Sequence, residues 1–285
     1  MSVQPAEHII EALTYLQKFS GECVLIKLGG SILNNKELVK SLCADLKLLK
    51  SAHMTFVLVH GGGQAINQVL NQYQLSSTFQ DGLRITTDAM MDLIEMALCG
   101  QVNQHLVRTL NSVGVCAVGL SGADNHLFQC EPYSQTHHRV GKITHLNTQL
   151  IEYFIAQQYD TAKGIIPVVA PVGMDIQGQA LNINADNAAS ELAIALKIKK
   201  IIYLTDQDGI FDQKKQIISR LNVQQLEELI QTKVVLGGML AKVNAIMNAL
   251  QRGHAQIHII NGKRPHSLLH ELLTDAGVGT LCVRE

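Results

Sequence analysis

A lysine interrupts an otherwise apolar segment near the start of the chain. Lys27 lies in the run Cys23–Leu28 (CVLIKL), and Gly29 and Gly30 follow that run directly. Burying a charge is costly unless an opposite charge compensates it, and glycine turns leave backbone N–H groups free to bind anions. We therefore expect Lys27 to face an anion. A lysine that extends into the solvent from an edge strand would produce the same pattern.

A second glycine turn and a second lysine extend this interpretation. The apolar run Phe56–His60 ends in Gly61–Gly63, and Lys242 lies near the start of a predicted helix that opens with Gly237–Gly238. Helix N-termini attract negative charge, so these turns together indicate a ligand with several negative charges. Both features also have an ordinary explanation. Glycine turns permit close packing of a helix on a strand, and Lys242 can be a solvated lysine on the surface of a helix. Neither turn has the spacing of a P-loop or a dinucleotide-binding fingerprint.

Two further sites carry groups that suit the binding of a small acid. Arg84 has the planar guanidinium that binds a carboxylate through two hydrogen bonds, although a surface salt bridge fits the local sequence equally well. Asn182, Asn184 and Asp186 place two amides and a carboxylate within five residues, directly before a predicted helix. Helix capping explains Asp186 taken alone, but it does not explain the whole set.

These residues lie where short apolar runs alternate with helical segments. Strands joined by helices form parallel sheets, and ligands bind at the carboxyl ends of such strands. The sequence therefore predicts an α/β protein with a mostly parallel sheet covered by helices. The predicted strands are Cys23–Leu28, Phe56–His60, Val115–Leu120, Ile165–Ala170, Ile201–Leu204 and Ile257–Ile260, and the predicted helices include Lys36–Lys50, Gln64–Gln74 and Asp186–Lys197.

Two polar segments depart from this alternation. Asp124–Thr148 indicates a β-structured excursion or a lid over one edge of the sheet, and Gly173–Asn184 indicates a glycine-rich hairpin. Since no low-complexity linker divides the chain, we expect two lobes that share one continuous sheet, with their boundary near Lys199.

The composition excludes several classes of protein. Of the 285 residues, 47% are hydrophobic and 16% are charged, and the net charge of −1 offers no basic excess for nucleic acid. The longest apolar runs, of about seven residues, are far shorter than the roughly 18 that a membrane span requires. Six cysteines without a CxxC pair indicate reduced thiols, and the N-terminus has no signal-peptide core. We therefore expect a cytoplasmic globular protein.

Taken in order, the motifs resemble the amino acid kinase family, and GLR with NINAD resembles its acetylglutamate branch. The resemblance covers nearly the whole chain. The matching segments are IKLGG (26–30), VHGGG (59–63), DGLRIT (81–86), VGLSG (118–122), PVVAPVG (167–173), LNINAD (181–186), LTD (204–206) and GGMLAKVNA (237–245).

The resemblance implies a fold and a reaction. The fold is a three-layer αβα sandwich with a mainly parallel central sheet, formed by residues 21–285. Its N-lobe, about residues 21–198, binds the acceptor and dimerises, and its C-lobe, about residues 199–285, binds the nucleotide. The reaction transfers the γ-phosphoryl group of ATP to the side-chain carboxylate of N-acetyl-L-glutamate, the second step of arginine biosynthesis.

The resemblance also implies a role for each matched residue. Lys27 and Lys242 stabilise the transferred phosphoryl group, and Asp186 holds both lysines. The acceptor contacts Gly62, Gly63, Arg84 and Asn182, with Arg84 on the α-carboxylate. ATP contacts Gly29, Gly30, Asp206, Gly209 and Phe211, and Mg²⁺ is held mainly by ATP phosphates, without a protein metal site. Ala123, Ala241 and a longer stretch at Gln157–Gly164 depart from the family pattern, away from these residues.

Two alternatives remain beside this reaction. The same fold also serves as a non-catalytic arginine sensor, but the chain keeps both lysines and Asp186, which favours catalysis. A sister kinase would act on another carboxylate, such as aspartate or an aminoadipate derivative.

The N-terminal segment suggests regulation. Residues 1–20 include an amphipathic helix, Ala6–Phe19, whose apolar stripe is wider than one packing face needs. The segment resembles the extra helix that links three dimers into a hexamer in arginine-inhibited members of the family. That resemblance places an inhibitory L-arginine at Tyr15, His258, Glu271 and Gly277. Each of these features also has an ordinary explanation. The helix can pack within one subunit, Glu271 can be a surface acid, and Gly277 can simply end a helix. The assembly would then be a dimer in place of the hexamer.

Overall fold

The computed structural model describes residues 4–80, 82–134, 136–158, 164–253, 256–274 and 277–285. Asp81 of the DGLRIT segment and most of the longer stretch Gln157–Gly164 lie outside the described residues. The helices are α1 Gln4–Phe19, α2 Gly30–Leu33, α3 Lys36–Ser51, α4 Gly63–Gln72, α5 Asp88–Glu95, α6 Gln104–Ser112, α7 Gln149–Gln158, α8 Ala185–Ala195, α9 Val223–Gln231, α10 Gly237–Gln251 and α11 Ser267–Leu273. A π-helix, Met96–Asn103, joins α5 to α6, and Asp124–His126 forms a 3₁₀ turn.

The six strands predicted with bounds from the sequence agree with observed strands to within two residues at each end. They are β1 Cys23–Leu28, β2 Thr55–His60, β3 Phe79–Gln80, β4 Leu83–Arg84, β5 Ala117–Leu120, β6 Phe128–Pro132, β7 Gly141–Leu146, β8 Ile166–Val169, β9 Val172–Met174, β10 Ala180–Asn182, β11 Lys200–Thr205, β12 Arg220–Leu221, β13 Gln256–Asn261 and β14 Thr280–Cys282. The short strands β3, β4, β12 and β14 were not predicted from the sequence.

Eight strands form one continuous sheet in the order β12-β14-β13-β11-β1-β2-β8-β5. The strands from β13 to β5 are parallel, whereas β14 runs antiparallel to β13. The predicted mainly parallel sheet is therefore confirmed. The chain continues from β1 to one side of the sheet and returns at β11 on the other, so the strand order changes direction between these two strands. A crevice forms at the carboxyl ends of strands where the order changes direction.

Helices cover both faces of this sheet, which confirms the three-layer αβα arrangement. Alternate residues of β1 enter separate cores: Leu25 packs with α7, α8, α9 and α10, and Ile26 packs with α3, α6 and α11. Because Lys27 lies two residues after Leu25, it points to the face that α8 and α10 cover. The alternation of the strand thus directs its one charged side chain toward the helix that carries Asp186.

A second sheet of four strands lies beside the main one, in the order β10-β9-β6-β7. Its β6–β7 pair is the predicted β-structured excursion, and β9 pairs antiparallel with β10 as the predicted hairpin. The small antiparallel pair β3–β4 carries Arg84. Within the described ranges, no helix is long and apolar enough to cross a membrane.

Candidate active site

Two cavities meet at the carboxyl end of β1. The larger cavity, of about 820 Å³, is lined by the turns after β1 and β11 and by the start of α10. The smaller cavity, of about 240 Å³, is lined by the Gly61–Gly63 turn, the β3–β4 pair and the segment before α8. Lys27, Gly30 and Gly63 line both cavities. The arrangement suits two ligands that approach each other at Lys27, the larger one nucleotide-sized.

Asp186 joins the two lysines at this junction. Its Oδ1 lies 2.7 Å from Lys27 Nζ, and its two carboxylate oxygens lie 2.9 and 3.0 Å from Lys242 Nζ. All three side chains are about nine-tenths buried. The structure therefore brings together three residues from β1, α8 and α10 that lie up to 215 positions apart in the sequence (Lys27 to Lys242).

The charges of this cluster determine its pKa values. Burial by itself would raise the pKa of Asp186, but the ammonium groups of Lys27 and Lys242 outweigh that effect and lower the pKa to about 2. Burial lowers the pKa of Lys242 to about 8, against the attraction of Asp186 and together with the repulsion of Lys27. Two ammonium groups share one carboxylate, so the cluster carries a net positive charge into the larger cavity.

The start of α8 explains why Asp186 is available to the lysines. Asn184 is the N-cap residue, and its Oδ1 accepts hydrogen bonds from Asp186 N at 2.9 Å and Asn187 N at 3.1 Å. The capping explanation of Asp186 is therefore wrong, because a neighbouring amide does the capping. The carboxylate of Asp186, in the first turn of the helix, is left to bind the lysines.

Arg84 lies in the smaller cavity, and its hydrogen-bond partners among the described residues are neutral. Its guanidinium donates to Asn67 Oδ1 at 2.8 Å, to Ser77 Oγ and to Gly63 O at 3.3 Å, and it stacks 4.7 Å above the ring of Phe79. Burial lowers its pKa. Among the described residues no carboxylate pairs with Arg84, so the surface-salt-bridge explanation does not hold there. A buried guanidinium without a counter-ion suits an anionic ligand.

Asn182 faces the same cavity in a defined orientation. Its Nδ2 donates to Thr86 Oγ1 at 3.0 Å, and Thr86 Oγ1 in turn donates to Arg84 O at 3.0 Å. With the amide nitrogen engaged, the amide oxygen of Asn182 is left as an acceptor for a ligand N–H. Thr86 is fully buried and thereby couples the two residues of the cavity wall.

The residues expected to contact ATP all line the larger cavity. They are Gly29, Gly30, Asp206, Gly209 and Phe211. Gly29 packs closely on β11: its N–H donates to Leu204 O at 2.9 Å, and a Cβ at Gly29 would lie 3.0 Å from that oxygen. Helix α4 begins at Gly63, so its first amide N–H groups have no partner within the helix and lie at the junction of the cavities.

Comparison with known proteins gives the family. The amino acid kinase family model matches residues 22–261. The chain belongs to the amino acid kinase family. It is 41% identical over 277 residues to an acetylglutamate kinase of Prochlorococcus marinus (strain MIT 9313), covering 96% of this chain and 88% of the relative. It is 40% identical to that of Synechococcus sp. (strain CC9311), covering 95% and 94%.

Two solved structures share the fold of this chain. Crystal structures of the N-acetylglutamate synthase from Neisseria gonorrhoeae, with coenzyme A and either N-acetyl-glutamate or L-arginine, align over the whole chain with TM-scores of 0.87 and 0.85. The identities are 23% and 21%, and the chain spans 64% and 66% of the synthase chains.

The residues expected to form an arginine site in this kinase are partly assembled. Glu271 pairs with His258 Nδ1 and accepts from Val278 N at 2.8 Å. Gly277 has φ +57°, and a Cβ there would lie 3.4 Å from Glu271 Oε2. Tyr15 lies on α1, which contacts α11, the helix of Glu271. The structure thus brings His258, Glu271 and Gly277 into one cluster, and Tyr15 lies on α1, the helix that contacts α11.

Sequence reasoning missed several residues of the candidate site. Thr86, Phe79 and Tyr203 carry no pattern that singles them out, because each acts through a tertiary neighbour. His60 did carry a signal. It ends the apolar strand β2 directly before a glycine turn, and it lies opposite Leu28 in the sheet, one position from Lys27.

Proposed function

We propose that the protein is an acetylglutamate kinase, which transfers the γ-phosphoryl group of ATP to the side-chain carboxylate of N-acetyl-L-glutamate in arginine biosynthesis. The observation that carries this proposal is the Lys27–Asp186–Lys242 cluster at the junction of a nucleotide-sized cavity and a small cavity. Relatives about 40% identical over almost the whole chain carry that name, which supports the same acceptor.

Phosphoryl transfer needs alignment and charge neutralisation more than covalent chemistry. In the proposed complex the γ-phosphate lies beside Lys27 and Lys242, and the acceptor carboxylate approaches from the smaller cavity. The carboxylate oxygen attacks the γ-phosphorus, the bond to the β,γ-bridging oxygen breaks, and ADP leaves with that bond's electron pair. Lys27 and Lys242 stabilise the negative charge of the oxygens in the transition state. Asp186 keeps both ammonium groups in place between turnovers.

Recognition of the acceptor follows from the smaller cavity. We assign the α-carboxylate to Arg84, which lacks a counter-ion in the described structure. We assign the amide N–H of the acetylated amino group to the oxygen of Asn182. The N–H groups of Gly62 and Gly63 then bind the carboxylate that accepts the phosphoryl group. An N-acetylated diacid uses all of these groups, whereas a free amine would bring a positive charge toward Arg84.

The nucleotide is assigned to the larger cavity. Two thirds of its lining residues lie between positions 205 and 242, and the rest lie at positions 27–31 and 63–64. The majority fits the proposed division into an acceptor lobe, about residues 21–198, and a nucleotide lobe, about residues 199–285. Among the described residues no group of three His, Cys, Asp or Glu side chains could hold a metal ion. We therefore assign Mg²⁺ to ATP phosphate oxygens and water, a mode that this ion favours. A cytoplasmic location stays a prediction.

An acyl-phosphate assay tests the proposal. Purified protein, ATP and Mg²⁺ are mixed with each acceptor, and hydroxylamine traps the acyl phosphate as a hydroxamate. We expect product with N-acetyl-L-glutamate and much less with N-acetyl-L-aspartate, N-acetyl-L-aminoadipate, L-glutamate or L-aspartate. A clear preference for the aminoadipate derivative or for aspartate would assign the protein to a sister kinase, and no product with any acceptor would contradict catalysis.

We further propose that L-arginine inhibits the enzyme at a site formed by Tyr15, His258, Glu271 and Gly277, in a hexamer built as a trimer of dimers. His258 Nε2 is buried without a hydrogen-bond partner among the described groups, which leaves one polar atom for a ligand. Lys200 lines a cavity of about 510 Å³, and its positive charge helps to lower the pKa of Glu271. The synthase of the same fold has been crystallised with L-arginine.

A further inference from the structure

A fully buried histidine lies beneath the glycine turn of the smaller cavity. His60 is the last residue of β2, and its Nδ1 lies 2.9 Å from the carbonyl oxygen of Gly61. Its Nε2 lies 3.1 Å from Nδ2 of Asn103, which is also buried. Asn103 Nδ2 donates in addition to Val168 O at 2.8 Å, so the asparagine is anchored to the neighbouring strand β8.

These contacts determine the tautomer of the ring. A carbonyl oxygen only accepts, so Nδ1 must carry the hydrogen and donate to Gly61 O. The amide nitrogen of Asn103 only donates, so Nε2 must carry the lone pair and accept. Burial lowers the pKa of His60 to about 4, with Lys27 adding to that effect against the Gly61 hydrogen bond. His60 is therefore neutral at physiological pH, with one fixed tautomer.

Asn103 belongs to the π-helix that packs against the same turn. A Cβ at Gly62 would lie 2.5 Å from Leu98 Cδ2 and 3.4 Å from Val102 Cγ2, and both of these residues lie in the π-helix. The extra residue in a π-turn shifts the side chains that follow it, and such turns occur frequently at functional sites. The π-helix therefore packs against Gly62 and forms a hydrogen bond with His60 through Asn103.

We propose that His60 and Asn103 are positioning residues for phosphoryl transfer, which together fix the peptide groups of Gly61–Gly63 so that the N–H groups of Gly62 and Gly63 point to the acceptor. The Nδ1–H of His60 fixes Gly61 O, and Asn103 fixes the tautomer that can donate there. The inference rests on the proposed function of the smaller cavity. Neither side chain lines that cavity, so both act through the turn.

Three substitutions at position 60 separate the two hydrogen bonds. In His60→Asn, the amide nitrogen can occupy the place of Nδ1 and still donate to Gly61 O. In His60→Gln, the longer amide reaches toward the place of Nε2 and Asn103 instead. His60→Leu removes both hydrogen bonds. His145→Asn, on the exposed strand β7, is the matched control.

A positioning role predicts a specific order of effects. We expect His60→Leu and His60→Gln to lower kcat for acyl-phosphate formation about 10- to 100-fold, the scale of a misplaced reacting group. KM for ATP should stay within about twofold, since Gly61 and Gly62 line the smaller cavity and not the larger one. His60→Asn should retain kcat within about threefold. Asn103→Ala combined with His60→Leu should be no slower than His60→Leu alone, because the two residues act as one unit.

A measurement without turnover separates this inference from the proposed function. In ¹⁵N NMR of histidine-labelled protein, we expect the neutral Nδ1–H tautomer for His60, and a mixture of tautomers in Asn103→Ala. A dominant Nε2–H tautomer in the unsubstituted protein would overturn the inference even if the kinase is active. Folded His60→Leu with unchanged kcat would overturn it as well, and so would a His60→Asn variant as slow as His60→Leu.

Discussion

The positively charged residues of the site have their charge only partly compensated among the described residues. One carboxylate, Asp186, serves the two ammonium groups of Lys27 and Lys242, and Arg84 has neutral hydrogen-bond partners among the described residues. ATP and a dicarboxylic acceptor both bring negative charge into this region. The uncompensated positive charge thus lies where the ligands of the proposed reaction need it.

Removing either lysine should stop turnover without unfolding the protein. We expect Lys27→Ala and Lys242→Ala each to lower kcat about 10²- to 10³-fold, since one group aimed at developing charge typically contributes roughly 2.7–4 kcal/mol. The fold should survive, because Asp186 keeps one ammonium partner in each variant. The hydroxamate assay and circular dichroism check this, with exposed Lys40→Ala as control. Near-normal kcat in either folded variant removes that lysine from the mechanism.

Lys242 should also set an alkaline limit on activity. Its pKa is lowered to about 8, chiefly by burial, so the free enzyme loses the ammonium charge as pH rises through that value. We expect kcat/KM for ATP to fall above about pH 8, and kcat to fall only at higher pH, since bound phosphates favour the ammonium form. Lys242→Arg, which keeps its charge, should lack this limb. A pH profile of kcat/KM that is flat to pH 10 would contradict the assignment.

Arg84→Lys should weaken acceptor binding selectively. A lysine keeps the charge but loses the planar pair of donors and the stacking on Phe79. We expect KM for N-acetyl-L-glutamate to rise about 10- to 100-fold, since a hydrogen bond to a charged group contributes roughly 1.5–3 kcal/mol, and KM for ATP to stay nearly unchanged. Steady-state kinetics checks this against Arg108→Lys, on the exposed side of α6. An unchanged acceptor KM removes Arg84 from the site.

At the scale of the elements, the sequence predicted what depends on local pattern. The apolar run of β1 singled out Lys27, because a charge interrupts it, and the glycine turns after β1 and β2 indicated the edge of the sheet where ligands bind. The meeting of Lys242 with Asp186 depends on how α10 packs on α8, which no local pattern reports. Asn184 and Asp186 are equivalent capping candidates in sequence, and only the backbone at the start of α8 decides between them. The two-residue strands β3 and β4 are too short to show a period.

Tyr203 of β11 connects the elements that carry the cluster. Its ring centroid lies 5.1 Å from Lys242 Nζ, and its hydroxyl donates to Asp186 O at 3.3 Å and lies 2.8 Å from Ser190 Oγ. In the sheet it pairs with Lys27. A single fully buried side chain thus contacts both α8 and α10 beneath the lysines.

Replacing Tyr203 should separate the ring from the hydroxyl. Tyr203→Phe keeps the ring and should keep kcat within about threefold, at a cost of about 1 kcal/mol in the free energy of unfolding. Tyr203→Leu removes a desolvated cation–π contact of roughly 2 kcal/mol that favours the ammonium form of Lys242, so the pH at which kcat/KM falls should decrease by about 1.5 units. Urea unfolding and pH profiles measure both. An identical limb in the two variants would show that the ring does not act on Lys242.

At the scale of the whole molecule, α1 has two unlike sides. Ala12, Tyr15, Leu16 and Phe19 pack on the core shared by α3 and α11. Ile9, Ile10 and Leu13 are 60%, 64% and 54% exposed, so the described part of one chain buries only part of the wide apolar stripe of α1. An exposed apolar stripe of this kind favours contact with a second copy of the chain. Because α1 contacts α11, such contact would also bear on Glu271.

The proposed assembly and its regulation can therefore be tested together. Deleting residues 1–20 should yield active dimers that no longer respond to L-arginine, whereas the full chain should sediment with the mass of six 31.2 kDa chains and be inhibited. The double substitution Ile9→Asp with Leu13→Asp changes only the exposed side of α1 and should disrupt the hexamer. Glu271→Gln should abolish inhibition within an intact hexamer, because a guanidinium or ammonium group needs the carboxylate. Analytical ultracentrifugation and inhibition curves measure these outcomes. If the full-length protein sediments as a dimer and ignores millimolar arginine, the regulatory proposal is wrong and the kinase assignment stands alone.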